Sequence, residues 1–126
     1  MPGAYNDEVF RKDRHAYLDF VREGLRRGIL RLGTRAKERI GVFVVTKKDG
    51  GLRIVFDCRR ANQRFSAPPP VRLCSAAGLT EMQTDKQSEL WFSAVDVKCA
   101  FYQHAIPEWL SEYFSLNSVL ASELDV

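Results

Sequence analysis

No apolar run in this 126-residue chain approaches the roughly 20 residues that a membrane-spanning helix needs, so no membrane partner is expected. Cysteine is scarce. Cys58, Cys74 and Cys99 are widely spaced, with no CxxC and no Cys/His cluster, which argues against zinc and for free thiols in a reducing compartment. The two histidines, His15 and His104, lie far apart and read as surface or packing residues rather than catalytic bases. The start, Met1 to Glu8, has neither a basic nor an apolar leader segment, so no signal peptide is expected and the location reads as intracellular. No internal repeat is present.

What the chain does have is the composition of one small soluble domain, 45% hydrophobic and 28% charged. Its net charge of +3 is unevenly placed. Residues 1–64 hold 16 Lys and Arg against 8 Asp and Glu, whereas residues 65–126 hold 3 against 8. A basic half suits a phosphate-rich partner, although a solvated charged helix accounts equally well for many arginines between 22 and 39.

Residues 1–12 read as a disordered lead-in. Asp13 is a helix cap for a segment to about Leu32, with Tyr17, Val21, Leu25 and Ile29 on its buried face. A hairpin follows around Asp49-Gly50. A two-residue turn there pairs Lys47 with Leu52, Val45 with Ile54 and Phe43 with Phe56. Phe43, Val45, Ile54 and Phe56 then share one face, and Thr46, Lys48 and Arg53 the other. A Gly50-Gly51 turn is the alternative. A short helix is expected over 58–64, extended chain at Pro68-Pro69-Pro70, helical turns from Ser75 to Met82 and a polar loop over 83–89. Residues 90–97 then read as a strand, Lys98 to His104 as a short helix, Tyr113 to Leu116 as a second strand and 117–126 as a patternless tail.

Two segments carry the chemistry. The run Leu90-Trp91-Phe92-Ser93-Ala94-Val95-Asp96-Val97-Lys98-Cys99-Ala100-Phe101-Tyr102-Gln103 brings an apolar segment to one carboxylate. A desolvated carboxylate calls for a cation, and Mg²⁺ is the usual partner of such oxygen ligands. Upstream stands Gly41-Val42-Phe43-Val44-Val45-Thr46-Lys47-Lys48-Asp49-Gly50-Gly51-Leu52-Arg53-Ile54-Val55-Phe56-Asp57-Cys58-Arg59-Arg60-Ala61-Asn62. Together, in this order, they resemble the fingers hairpin and first catalytic motif of retroelement reverse transcriptases, over residues from about 15 to 116.

The resemblance implies an α+β fold: a fingers β-hairpin with flanking helices (13–72), then the first strand and helix of a polymerase palm (73–116), with 117–126 as a tail. It implies nucleotidyl transfer of deoxynucleotides on an RNA or DNA template, with Mg²⁺ or Mn²⁺ in a two-metal mechanism. Asp96 would be the catalytic carboxylate and metal ligand, joined by the Val97 carbonyl. Lys47 and Arg53, with Lys48 as alternate, would bind the triphosphate. Phe101 would pack against the sugar, and Tyr102 and Gln103 would support the nucleotide pocket. Asp57, Arg59 and Asn62 would lie near the template, Arg59 on a phosphate and Asp57 orienting it.

The chain departs from that pattern in two ways. Cys99 stands where many retroelement enzymes carry Ser or Asp. The later aromatic-x-Asp-Asp hairpin is missing, since Asp125 is the only aspartate after Asp96. The expectation is therefore an amino-terminal polymerase segment, inactive alone, with template-primer and deoxynucleotide as partners in the complete enzyme. The alternatives are a non-catalytic nucleic-acid-binding module and a decayed retroelement relic. A viral RNA-dependent RNA polymerase is disfavoured by the Lys-Lys-Asp-Gly hairpin and Phe101.

Overall fold

Asp13 shapes both helices at the start of the chain. Its backbone N–H closes helix α1 (Glu8–Lys12) on the Val9 carbonyl at 2.8 Å, and its carboxylate caps helix α2 (Arg14–Arg26) by accepting from the Ala16 N–H at 3.1 Å. The computed structural model describes residues 4–125. They form a small α+β fold with one antiparallel hairpin, β1 (Gly41–Thr46) with β2 (Leu52–Asp57), and short helices. The chain divides into two units, residues up to 66 with those from 104 onward, and residues 67–103.

In the first unit, α2 buries Tyr17, Leu18 and Val21 against Val42 and Leu124, with Phe10, Phe20, Leu25, Phe56, Leu116 and Val119 packed around them. The four-residue spacing of Tyr17, Val21 and Leu25 produces that stripe. The helix stops at Arg26, short of the expected Leu32, and Ile29 is exposed on the following turn. The lead-in also differs from expectation: residues 4–12 are ordered by α1 and by the edge of β1. The Val42 N–H donates to Asn6 Oδ1 at 3.1 Å and the Val44 N–H to Asp7 Oδ2 at 3.2 Å, while the Asp7 N–H donates to the Val42 carbonyl at 2.8 Å. Side chains thus satisfy an edge that a third strand would otherwise cover. Gly41 permits the close approach, because a Cβ there would lie 1.7 Å from the Tyr5 carbonyl oxygen. We expect Gly41→Ala to displace the 4–7 segment at a cost of about 1–3 kcal/mol, read as faster amide exchange at Val42 and Val44 and a lower denaturation midpoint.

The hairpin register is one residue away from the two-residue turn. Val44 faces Ile54, Val45 faces Arg53 and Thr46 faces Leu52. The Lys47 N–H donates to the Gly51 carbonyl at 2.7 Å, and the Gly50 N–H to the Lys47 carbonyl at 3.1 Å. Lys48, Asp49 and Gly50 therefore form a three-residue loop, with Gly50 at φ +81° in the left-handed position such loops require. The slip exchanges faces. Val42, Val44, Ile54 and Phe56 share one side, on which Val42 and Phe56 meet the core. Phe43 and Val45, with Arg53, Val55 and Asp57, share the other.

The chain then turns through α3 (Arg59–Asn62). Buried Glu38 accepts from Arg64 at 3.0 Å and pairs with Arg60 at 3.4 Å. From residue 104 the chain returns through α5 (Glu108–Ser111). The expected strand at Tyr113–Leu116 is a single parallel bridge, Ser115 to Arg39, because the turn after α5 continues through Phe114. The tail is not patternless in effect. Leu124 enters the core, the Tyr17 hydroxyl donates to the Asn117 carbonyl at 2.7 Å, and Arg14 grips Glu123, holding that carboxyl down at about 2.

In the second unit, α4 (Ala76–Thr80) starts where the Ser75 hydroxyl accepts from the Gly78 N–H at 3.1 Å. The expected strand at 90–97 is absent, and every residue from 67 to 103 is exposed, Trp91 by 88% and Val95 by 93%. β-propensity alone does not hold a strand; it needs a ladder, and no strand lies elsewhere in this unit. The expected helix from Lys98 to His104 is a 3₁₀ turn, Ala100–Gln103, after Cys99 at φ +52°.

Candidate nucleic-acid and nucleotide interface

The tip of the hairpin concentrates positive charge. Arg53 stands opposite Val45, and the strand alternation carries Lys47, paired with Gly51, onto the same face. The observed register thus joins Lys47 with Arg53, where the expected one joined Lys48 with Arg53. Lys47, Lys48 and Arg53 are all exposed, and among the described residues none forms an ion pair. Elsewhere in the same unit Arg14, Arg22, Arg26, Arg27, Lys37, Arg59, Arg60 and Arg64 each meet a carboxylate, whereas Arg11, Arg31, Arg35 and Arg39, like the tip cations, form no ion pair among the described residues. A shallow pocket of about 470 Å³ lies among Val45, Thr46, Lys47, Lys48, Asp49 and Arg53. Asp49 turns one oxygen onto the Gly51 N–H at 2.9 Å, which stabilises the loop. Such a tip can offer an anion one guanidinium fork and two ammonium groups.

At the other end of the same face, Asp57 is buried and fully employed. It accepts from the Tyr5 N–H at 2.9 Å and from Arg59 Nε and Nη2, each at 2.8 Å. The Arg59 guanidinium and the Tyr5 N–H hold the Asp57 carboxyl well below the usual carboxylate range. Arg59 remains 79% exposed in its side chain, so Asp57 orients the guanidinium without covering it. Asn62 is exposed one turn further along α3. A second shallow pocket of about 470 Å³ has Tyr5, Phe43, Val55, Asp57, Arg59 and Asn62 in its lining. The neighbouring Cys58 thiol is pushed up by burial and by the Asp57 charge, which suppresses thiolate chemistry there. Tyr5 is the residue that sequence reasoning missed. The available signal was Asn6-Asp7 beside it, two short side chains able to pair with a strand edge.

The second unit holds Asp96, Val97, Phe101, Tyr102 and Gln103. Asp96 lies on exposed chain without regular secondary structure, and Phe101 is 93% exposed, so the ring is not a core aromatic. Gln103 Nε2 reaches the Lys98 carbonyl at 3.5 Å across the 3₁₀ turn. Among the described residues no group of three His, Cys, Asp or Glu gathers where a metal ion could sit. Asp96 brings a single carboxylate, and a two-metal centre needs carboxylates from more than one segment. The residues present therefore do not fit that centre. Among the described residues no helix is long and apolar enough to cross a membrane. Comparison with models of protein families, with curated proteins and with solved structures gives no match.

Proposed function

We propose that this chain is an intracellular phosphate-gripping segment of the reverse-transcriptase kind, its hairpin acting as the fingers element and residues 90–103 as the first palm motif. The observation that carries the reading is the set of three unpaired cations on one hairpin tip, Lys47 and Arg53 sharing a face. Unpaired exposed cations over a loop stiffened by its own Asp and Gly favour a polyphosphate ligand. Template and primer strands, deoxynucleotides and Mg²⁺ or Mn²⁺ belong to the complete enzyme. Carboxylates from other polypeptide segments would be needed before Asp96 could take part in nucleotidyl transfer.

Titration of a fluorescent deoxynucleoside triphosphate tests the grip. Lys47→Ala and Arg53→Ala are each expected to weaken binding about tenfold, roughly 1.4 kcal/mol. Equal affinity of the double variant and the original chain would remove the proposal. In a primer-extension assay with Mg²⁺, the isolated chain yields no product; template-dependent synthesis lost in Asp96→Asn would overturn that expectation.

A second reading, a non-catalytic nucleic-acid-binding module, is favoured by the exposed and strand-free surroundings of Asp96. On that reading Asp96→Asn binds RNA or DNA as well as the original chain, with affinity falling steeply in salt. Metal-dependent nucleotide binding that needs Asp96 decides for the polymerase-type reading.

A further inference from the structure

The hairpin face that carries Lys47 and Arg53 ends in an aromatic pair. Tyr5 packs on Phe43 with centroids 5.2 Å apart and planes at 77°, so the edge of one ring meets the face of the other. Tyr5 is nevertheless 51% exposed. Half-exposed aromatic rings are usually mobile, but this one has a fixed backbone. Its N–H is held by Asp57, its carbonyl abuts Gly41, and Asn6 and Asp7 clamp the next two residues to β1. A preorganised ring loses little freedom when something stacks on it.

The neighbours specify what would stack. Asp57, the one carboxylate among the described residues lining this pocket, is neutralised by Arg59. That bidentate pair uses Nε and Nη2 and leaves Nη1 pointing away from the carboxylate as a donor, with the Asn62 amide also exposed in the pocket lining. About 13 Å of β2 separates Asp57 from Arg53, at roughly 3.3 Å per residue. The track therefore runs from a stacking ring with polar donors to unpaired cations. A ligand with planar rings and spaced negative charges matches both ends, whereas an acidic peptide would use the cations and leave the ring idle.

We infer that Tyr5 is a stacking platform for a base of single-stranded nucleic acid, whose phosphates run along the hairpin face to Lys47 and Arg53. The inference rests on the proposed reading of this face as a phosphate-binding surface and adds a base-recognising residue to it.

The test compares two 12-nucleotide probes, oligo(U) and the same backbone made abasic, by fluorescence anisotropy over a salt series. The full chain is expected to bind oligo(U) at least fivefold more tightly than the abasic strand. Tyr5→Leu keeps an apolar contact with Phe43 but has no π face. It is expected to lose about fivefold to a hundredfold for oligo(U), and nothing for the abasic strand, with the salt slope unchanged. Tyr5→Trp restores the preference. Lys47→Ala and Arg53→Ala do the converse, each lowering the salt slope by about one and sparing the preference for bases. Equal binding of both probes by the original chain, or an undiminished preference in Tyr5→Leu, overturns the stacking inference and leaves the phosphate grip standing. Failure to bind either probe overturns both. Displacement of oligo(U) by polyglutamate as readily as by unlabelled oligo(U) at equal charge would assign the surface to acidic protein and also overturn the inference.

Discussion

Tyr17→Ala is expected to remove a large part of the folding stability. Tyr17 is 2% exposed at the centre of the core, with Phe10 and Phe20 against its ring. Replacing a buried aromatic ring by a methyl group costs about 3–5 kcal/mol, part transfer and part cavity. A domain of this size commonly has about 5–15 kcal/mol in total. The hydroxyl contributes separately, through its bond to the Asn117 carbonyl. Tyr17→Phe should therefore cost only about 1 kcal/mol. Urea denaturation followed by circular dichroism measures both. Equal midpoints for Tyr17→Ala and the original chain would show that this core does not hold the fold together.

The second large effect comes from Asp57. Asp57→Ala removes the acceptor of the Tyr5 N–H and the partner of Arg59, and we expect a loss of about 1–3 kcal/mol. The same carboxyl should make stability depend on pH. Its folded value lies below its unfolded value, so the folded state binds fewer protons in the acid range. The stabilisation is present in full above the ordinary carboxylate value, near 4, and is lost as pH falls from there toward the depressed folded value. Asp57→Asn keeps the shape and one acceptor but cannot titrate. The difference in denaturation midpoint between Asp57→Asn and the original chain should shrink steadily from pH 5 to pH 2. A constant difference would refute the assignment.

The sequence made α2 legible through the four-residue spacing of Tyr17, Val21 and Leu25, and the hairpin through two apolar, β-branched runs on either side of Asp49-Gly50. It left the register one residue off, since Asp49-Gly50 fits a two-residue turn as well as a three-residue loop, and only the Lys47–Gly51 pairing decides. The run 90–97 reads as a strand from its Trp, Phe and Val content, but pairing is a tertiary property and the ladder it needs is not in its unit. In the candidate interface, Lys47, Arg53, Asp57 and Arg59 were visible as residue types at suggestive spacings. The bond from Tyr5 to Asp57, 52 residues away in sequence, was not, because no local pattern encodes which backbone N–H a buried carboxylate will accept. Leu124 escaped notice for the same reason: Val119, Leu120 and Leu124 follow no period that tells the buried leucine from the exposed one.

That leucine has a consequence for how the protein is made. A ribosome adds about 5–20 residues per second, so α2 and the hairpin emerge seconds before Leu116, Val119 and Leu124 exist to cover them. During that interval Tyr17, Val21 and Val42 lack part of their cover, and the nascent chain exposes apolar surface. Moving the coding sequence for residues 104–126 ahead of the first helix, by circular permutation, would let those side chains meet early and should reduce aggregation during synthesis.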